Sequence, residues 1–148
     1  MTELDKILEM WSADCQINTM KLDETSAETP MLHQKYLSLM ASTKLKIKRI
    51  ENEQKSLLHK KWLWYQGKMS QSEIEALGWE YDPLHGKKIL KGEYEYYYNS
   101  DSDIQQSEEM LTYWKTVKET LEEIINTLRW RHSTIKNIID FKRFESGN

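Results

Sequence analysis

Apolar residues recur along this chain at helical rather than alternating intervals. Leu4, Leu8, Trp11 and Cys15 fall three or four apart, which predicts a short amphipathic helix over 3–16. A polar stretch follows at 18–29. Thr29 is then placed to cap a helix, and Pro30 suits a first helical position, where its missing N–H costs nothing. From there Tyr36, Met40, Thr43, Ile47, Ile50, Gln54 and Leu57 recur at alternating steps of four and three, and Lys61 and Trp64 continue the stripe. No Pro or Gly interrupts until Gly67, so one helix is expected over 30–66, ended by Gly67.

Residues 68–100 change character. Ser70 and Glu73 have capping-box spacing, which predicts a short helix over 71–77 stopped by Gly78. "YDPLHG" at 81–86 is turn chemistry. The tyrosine cluster at 94–98 fits either an extended segment or a helical turn.

Asp101 or Asp103 can then cap a final helix running from Ile104 to the end of the chain. Leu111, Trp114, Leu121, Ile125, Leu128, Ile135 and Ile139 form one stripe on it, with Met110, Val117, Ile124 and Ile138 beside them. A helix of about 40 residues is ~60 Å long. A compact chain of this size is only ~40 Å across. With no Pro or Gly before Gly147 to bend it, such a helix overhangs its own domain, and its wide apolar arc calls for other subunits to cover it. The expected fold is therefore all-α: two long amphipathic helices plus short ones, in one compact unit. Residues 1–100 are expected to form an N-terminal helical region, and residues 101–148 a C-terminal helix for self-assembly through Leu111, Trp114, Val117, Leu121, Ile124, Ile125, Leu128, Ile135 and Ile138.

Charge sharpens this picture. The net charge is −3, but residues 31–68 carry a net +7 while 1–30 and 69–128 carry −5 and −8. Concentrated positive charge, more than the total, suits a polyanion. Cys15 is the single cysteine, which excludes a disulfide framework and a cysteine zinc cluster. No apolar run approaches the ~18–20 residues of a membrane span, and "MTELDKILEMW" is no signal peptide, so a reducing cytoplasm is expected. His33, His59, His85 and His132 are scattered, and "HGKK" at 85–88 lacks the Walker pattern, so neither metal nor nucleotide chemistry is indicated and no cofactor is expected.

The positive segment ends in "LHKKWLWYQGK", residues 58–68. Lysines neutralise phosphates, and aromatic faces stack unpaired bases with little sequence preference. Candidate nucleic-acid contacts are Lys55, His59, Lys60, Lys61, Trp62 and Lys68. The plainer alternative is a solvated basic face on a helix whose aromatic end is core, with Trp64 packed. "KKILK" at 87–91 has the same two readings. Arg129 and Arg131 suit DNA or acidic groups of a neighbouring subunit, and Trp130 suits packing.

"TPMLHQKYL", "LKIKRIE", "WLWYQGKMSQSEIEALGWEYDP", "LKGEYEYYYNSDSDIQQSEE" and "YWKTVKETLEEIINTLRWRHSTIKNIIDFKRFESGN" together resemble the UvsY family of T-even-type phages, in the form carried by relatives that infect cyanobacteria. The resemblance covers nearly the whole chain. It implies a non-enzymatic recombination mediator of the host cytoplasm, forming a ring of six or seven subunits without a cofactor. It implies binding of single-stranded DNA, help in displacing the phage single-strand-binding protein, and loading of the RecA-like recombinase UvsX. It also implies DNA contacts just before the aromatic–aromatic–x–Gly element, here at His59 and Lys61. The family's basic–x–basic pattern has become His-Lys-Lys, with Lys60 turned about 100° round the helix. On this reading, Lys60→Ala with Lys61→Ala removes most DNA binding and spares the oligomer, and charges at Leu121 and Ile125 break the oligomer. The alternative class is a phage scaffolding oligomer without DNA affinity.

Overall fold

A computed structural model describes residues 1–147, and among these the regular structure is entirely helical: α1 (Glu3–Asp14), α2 (Leu22–Tyr65), α3 (Gln71–Leu77), α4 (Tyr94–Ser100), α5 (Ser102–Arg129) and α6 (Arg131–Glu145). The last residue of the "FESGN" ending, Asn148, lies outside the described residues. No helix is long and apolar enough to cross a membrane. The contacts divide the chain into two compact units. Residues 46–113 form one unit, and Met1–Leu45 with the chain from Trp114 onward form the other, because α2 and α5 each run through both.

In the unit built from both chain ends, Thr2 and Asp5 close a capping box on α1. The face α1 buries is centred on Ile7, while Leu8 and Cys15 are exposed, a correction to the expected stripe. Helix α2 starts at Leu22, not at Pro30, and carries Pro30 inside it. The Thr25 and Thr29 hydroxyls donate back to the Lys21 and Thr25 carbonyls at 2.9 and 3.2 Å. Thr29 thus serves the helix interior rather than capping its start. Tyr36, Met40 and Thr43 are buried as the stripe predicts, and Trp11 meets the Tyr36 ring edge-on at 5.6 Å. The Tyr36 hydroxyl and Lys35 Nζ both donate to Asp14 Oδ2, at 2.8 and 2.7 Å.

The expected single C-terminal helix is two. The break falls at Trp130, whose backbone (φ −94°, ψ 1°) leaves helical values without help from Pro or Gly. A side chain enters the ladder instead. His132 Nδ1 lies 2.9 Å from the Arg129 carbonyl, and the Ser133 N–H turns to the Trp130 carbonyl at 3.0 Å. Arg131 is buried by the break and donates to the carbonyls of Asp14 and Gln16, at the C-terminal end of α1, at 3.2 and 3.3 Å. Arg131 therefore serves neither DNA nor a neighbouring subunit. Trp130, expected to pack, is 63% exposed.

The break also changes what the apolar arc does. Val117, Leu121, Ile124, Ile125, Leu128 and Ile135 are buried within this chain, and Leu111, Trp114 and Ile138 are half-buried. The first six form core within the chain itself, so charges at Leu121 and Ile125 act on folding.

In the 46–113 unit, Ile47, Ile50 and Ile104 are buried, and Trp64, Met69 and Ile74 form a core flanked by Leu63, Tyr65 and Trp79. Helix α3 has the predicted caps: Ser70 Oγ accepts the Glu73 N–H, and Gly78 takes φ 70°. The tyrosine cluster forms α4. Asp101 caps α5, its Oδ1 accepting the N–H groups of Asp103 and Ile104 at 2.9 and 3.1 Å. Its Oδ2 accepts the Tyr65 hydroxyl at 2.7 Å and lies 3.1 Å from Lys61 Nζ. One carboxylate thus ties the start of α5 to the last turns of α2.

Asp14 and Asp101 share one chemistry. Burial pushes each carboxyl up, but hydrogen bonds from tyrosine and lysine (and, at Asp101, the Ile104 N–H) hold both below the ordinary aspartate value of 3.8. A depressed folded-state pKa contributes stability that is full above the unfolded value and lost as pH falls through the folded one. Acid unfolding is therefore expected to set in as pH drops below that value. Asp101→Asn should flatten this limb of a fluorescence-monitored pH titration.

Candidate nucleic-acid interface

Helix α2 presents different residues on different faces at its C-terminal end. Lys48, Lys55, His59 and Trp62 follow one another at steps of seven, four and three, so they share a face. Lys48, Lys55 and His59 are exposed and Trp62 is half-buried. The His59 and Trp62 rings stack, with centroids 6.3 Å apart and planes 16° from parallel.

Beyond Trp62 the helix ends in a Schellman turn. The Lys68 N–H donates to the Leu63 carbonyl at 2.9 Å and the Gly67 N–H to the Trp64 carbonyl at 3.1 Å, with Gly67 at φ 71°. This reversal folds Lys68 back over the helix, and its Nζ lies 5.2 Å from the centre of the Trp62 ring. An imidazole and an ammonium thus both lie close to the Trp62 ring, with Lys55 one turn behind His59. That arrangement can stack a base and neutralise the phosphates flanking it.

Lys61 is elsewhere. It is 2% exposed, with Nζ 2.8 Å from Asp103 Oδ2 and 3.1 Å from Asp101 Oδ2. The same ammonium sits 4.4 and 3.9 Å from the Trp64 and Trp79 ring centres. Every face of the charge is occupied, so Lys61 cannot meet DNA, a correction to the expected contact set. The apolar stripe had signalled this, since Lys61 falls on it. Lys60 is exposed but lies on another side of the helix, in line with Arg49, Glu53 and Ser56. Of the six expected contacts, the structure brings His59, Trp62 and Lys68 together, keeps Lys55 on their face, sets Lys60 apart and buries Lys61.

Sequence reasoning took Asp101 as a helix cap and missed its bonds to Lys61 and Tyr65, which are 40 and 36 positions away and leave no local signal. Among the described residues, no three His, Cys, Asp or Glu side chains gather into a metal cage.

Removing one member of a buried ion pair typically costs about 3–5 kcal/mol, while exposed substitutions stay within about 0.5 kcal/mol. Lys61→Ala should therefore cut stability by the first amount and Lys60→Ala by no more than the second. Denaturant unfolding at fixed protein concentration measures both.

Comparison with known proteins identifies the family and fold. The family model described as "Recombination, repair and ssDNA binding protein UvsY" matches residues 10–148. A curated relative, the recombination protein uvsY of Enterobacteria phage T4, is 26% identical over 144 residues, covering 97% of this chain and 98% of that one. Two crystal structures of the bacteriophage T4 recombination mediator protein UvsY superpose closely in fold. Lattice type II gives a TM-score of 0.82 at 24% identity, covering 99% of both chains. Lattice type I gives 0.81 at 24% identity, covering 95% of this chain and 98% of that one. With the family pattern spanning all but the first turns of α1, the chain belongs to the UvsY family of recombination, repair and single-stranded-DNA-binding proteins.

Proposed function

We propose that this chain is a phage recombination mediator that holds single-stranded DNA on the Lys55–His59–Trp62–Lys68 face. There it helps displace the single-strand-binding protein and nucleates a RecA-like recombinase, UvsX, in the host cytoplasm. The observation that carries the reading is the Trp62 ring, with the His59 ring and the Lys68 ammonium close to it, at the end of a basic helix. Binding here is by stacking and charge, with no bond made or broken, so no enzymatic step is invoked.

A single subunit of this kind binds weakly and loses affinity steeply with salt. Joining several copies raises the effective concentration of each further contact, and a ring of six or seven subunits would turn weak patches into tight wrapping. The apolar arc of α5 is largely buried within the chain, which supports a self-association surface on α6. There Trp130, Thr134, Asn137, Phe141 and Phe144 follow one face, and Phe141 and Phe144 are 61% and 78% exposed. Exposed aromatics at helical spacing call for a covering partner.

Two measurements test this. Titration of a labelled poly-dT oligonucleotide should show tight binding at ~50 mM salt and far weaker binding at ~300 mM. Trp62→Ala should weaken it by ~5- to 150-fold, the loss of about 1–3 kcal/mol of stacking. A defined oligomer with no low-salt affinity would make the chain a scaffolding component instead. Separately, Phe141→Asp with Phe144→Asp should lower the sedimenting mass without unfolding the subunit.

A further inference from the structure

The 46–113 unit also contains a cleft of about 560 Å³ between the end of α2 and the loop that follows α3. This lies within the usual range for small-ligand sites. Three of its lining residues are lysines, Lys68, Lys87 and Lys88, against one carboxylate, Asp82. Tyr81, 69% exposed, and the half-buried Tyr94 add aromatic faces.

The loop is built by its own bonds. Asp82 Oδ1 accepts the Gly86 N–H at 3.0 Å, and the Asp82 carbonyl accepts the His85 N–H at 3.1 Å. Asp82 and His85 both hold left-handed backbone, at φ 50° and 51°, conformations a loose loop would relax out of. One carboxylate oxygen of Asp82 is thus used on the turn itself. The Lys87 N–H donates to the Leu84 carbonyl at 3.1 Å, which sets Lys87 and Lys88 at the cleft wall. On the opposite side Gln66 Nε2 donates to the Tyr94 hydroxyl, joining the end of α2 to α4.

Lys68 links this cleft to the face described above, since the same ammonium approaches the Trp62 ring and the same residue lines the cleft. A strand stacked on Trp62 would have neighbouring phosphates near Lys68, and Lys87 and Lys88 line the same cleft as Lys68. We propose that this cleft is a second subsite for the same single strand, with Lys87 and Lys88 holding backbone phosphate and Tyr81 stacking a base. The inference rests on the single-stranded-DNA reading and extends the site into residues 79–91. It also gives "KKILK" a role: Lys87 and Lys88 extend the basic track.

The test uses the full chain and a labelled dT oligonucleotide. Each lysine–phosphate contact to a single strand contributes about 0.7 to the slope of log affinity against log salt. Lys87→Ala with Lys88→Ala is expected to reduce that slope by roughly 1.4, to shrink the number of nucleotides occluded per subunit, and to leave thermal unfolding unchanged. An oligonucleotide bearing 5-iodouracil is expected to photocrosslink to Tyr81 or Tyr94. An unchanged slope and occluded length, while Trp62→Ala still weakens binding, would end the DNA site at Lys68 and overturn the subsite alone. Crosslinks confined to His59 and Trp62 would do the same. If the unaltered chain shows no salt-sensitive affinity for dT, the subsite and the DNA reading fall together.

Discussion

The carboxylate of Asp101 is the constraint around which the 46–113 unit is arranged. It is buried, and a buried charge is tolerated only when its lone pairs are matched. Here all are: two backbone N–H groups at the start of α5, the Tyr65 hydroxyl, and the Lys61 ammonium. The α5 N-terminus adds the favourable end of a helix dipole. Lys61 is matched in turn by Asp103 and by the faces of Trp64 and Trp79. The consequence is geometric. Lys61, Tyr65 and Trp64 are fixed, so the last turns of α2 cannot rotate, and Trp62 and the Gly67 turn are held where Lys68 can reach back over the ring.

The other half repeats the device with less burial. Asp14 receives Tyr36 and Lys35 as Asp101 receives Tyr65 and Lys61. Arg131 adds a second bond set to the end of α1 through backbone carbonyls. Each unit thus fixes α2 by a tyrosine and a lysine on one aspartate. Tyrosine suits the task, because its ring packs in the core while its hydroxyl reaches a charge at the core's edge.

Much of this was legible in the sequence, and the failures share a cause. The stripe from Tyr36 to Trp64 was read correctly because helical periodicity is a local signal, and so were the Ser70 and Gly78 caps. The start of α2 was misplaced because Pro30 has the local preference of a first-turn residue, which the Thr25 and Thr29 hydroxyl bonds and the buried Thr25 override. The break at Trp130 was missed because neither Pro nor Gly marks it. Its local part is the His132 ring on the Arg129 carbonyl, and its tertiary part is Arg131 meeting residues more than a hundred positions away. The candidate site was half legible: residue types announced a basic aromatic surface, but only tertiary pairing showed which lysine was spent inside.

Lys60 and Lys61 show why local composition alone cannot assign such a site. Both precede the same tryptophan, yet one is solvated and the other sealed. Sealing Lys61 removes a positive charge from the surface, but the aspartates that neutralise it are no longer free to repel a polyanion from the same region. The overall −3 is then a poor guide to what a strand meets. Near physiological salt, charges beyond about 8–10 Å are largely screened. A strand on the proposed face of α2 would therefore respond first to the charges carried on or beside that face, Lys48, Lys55 and Lys68. The protein stays acidic overall while carrying a basic, aromatic edge on α2, and the buried Lys61–Asp101 pair that fixes the end of α2 is sealed away from that edge's solvent face.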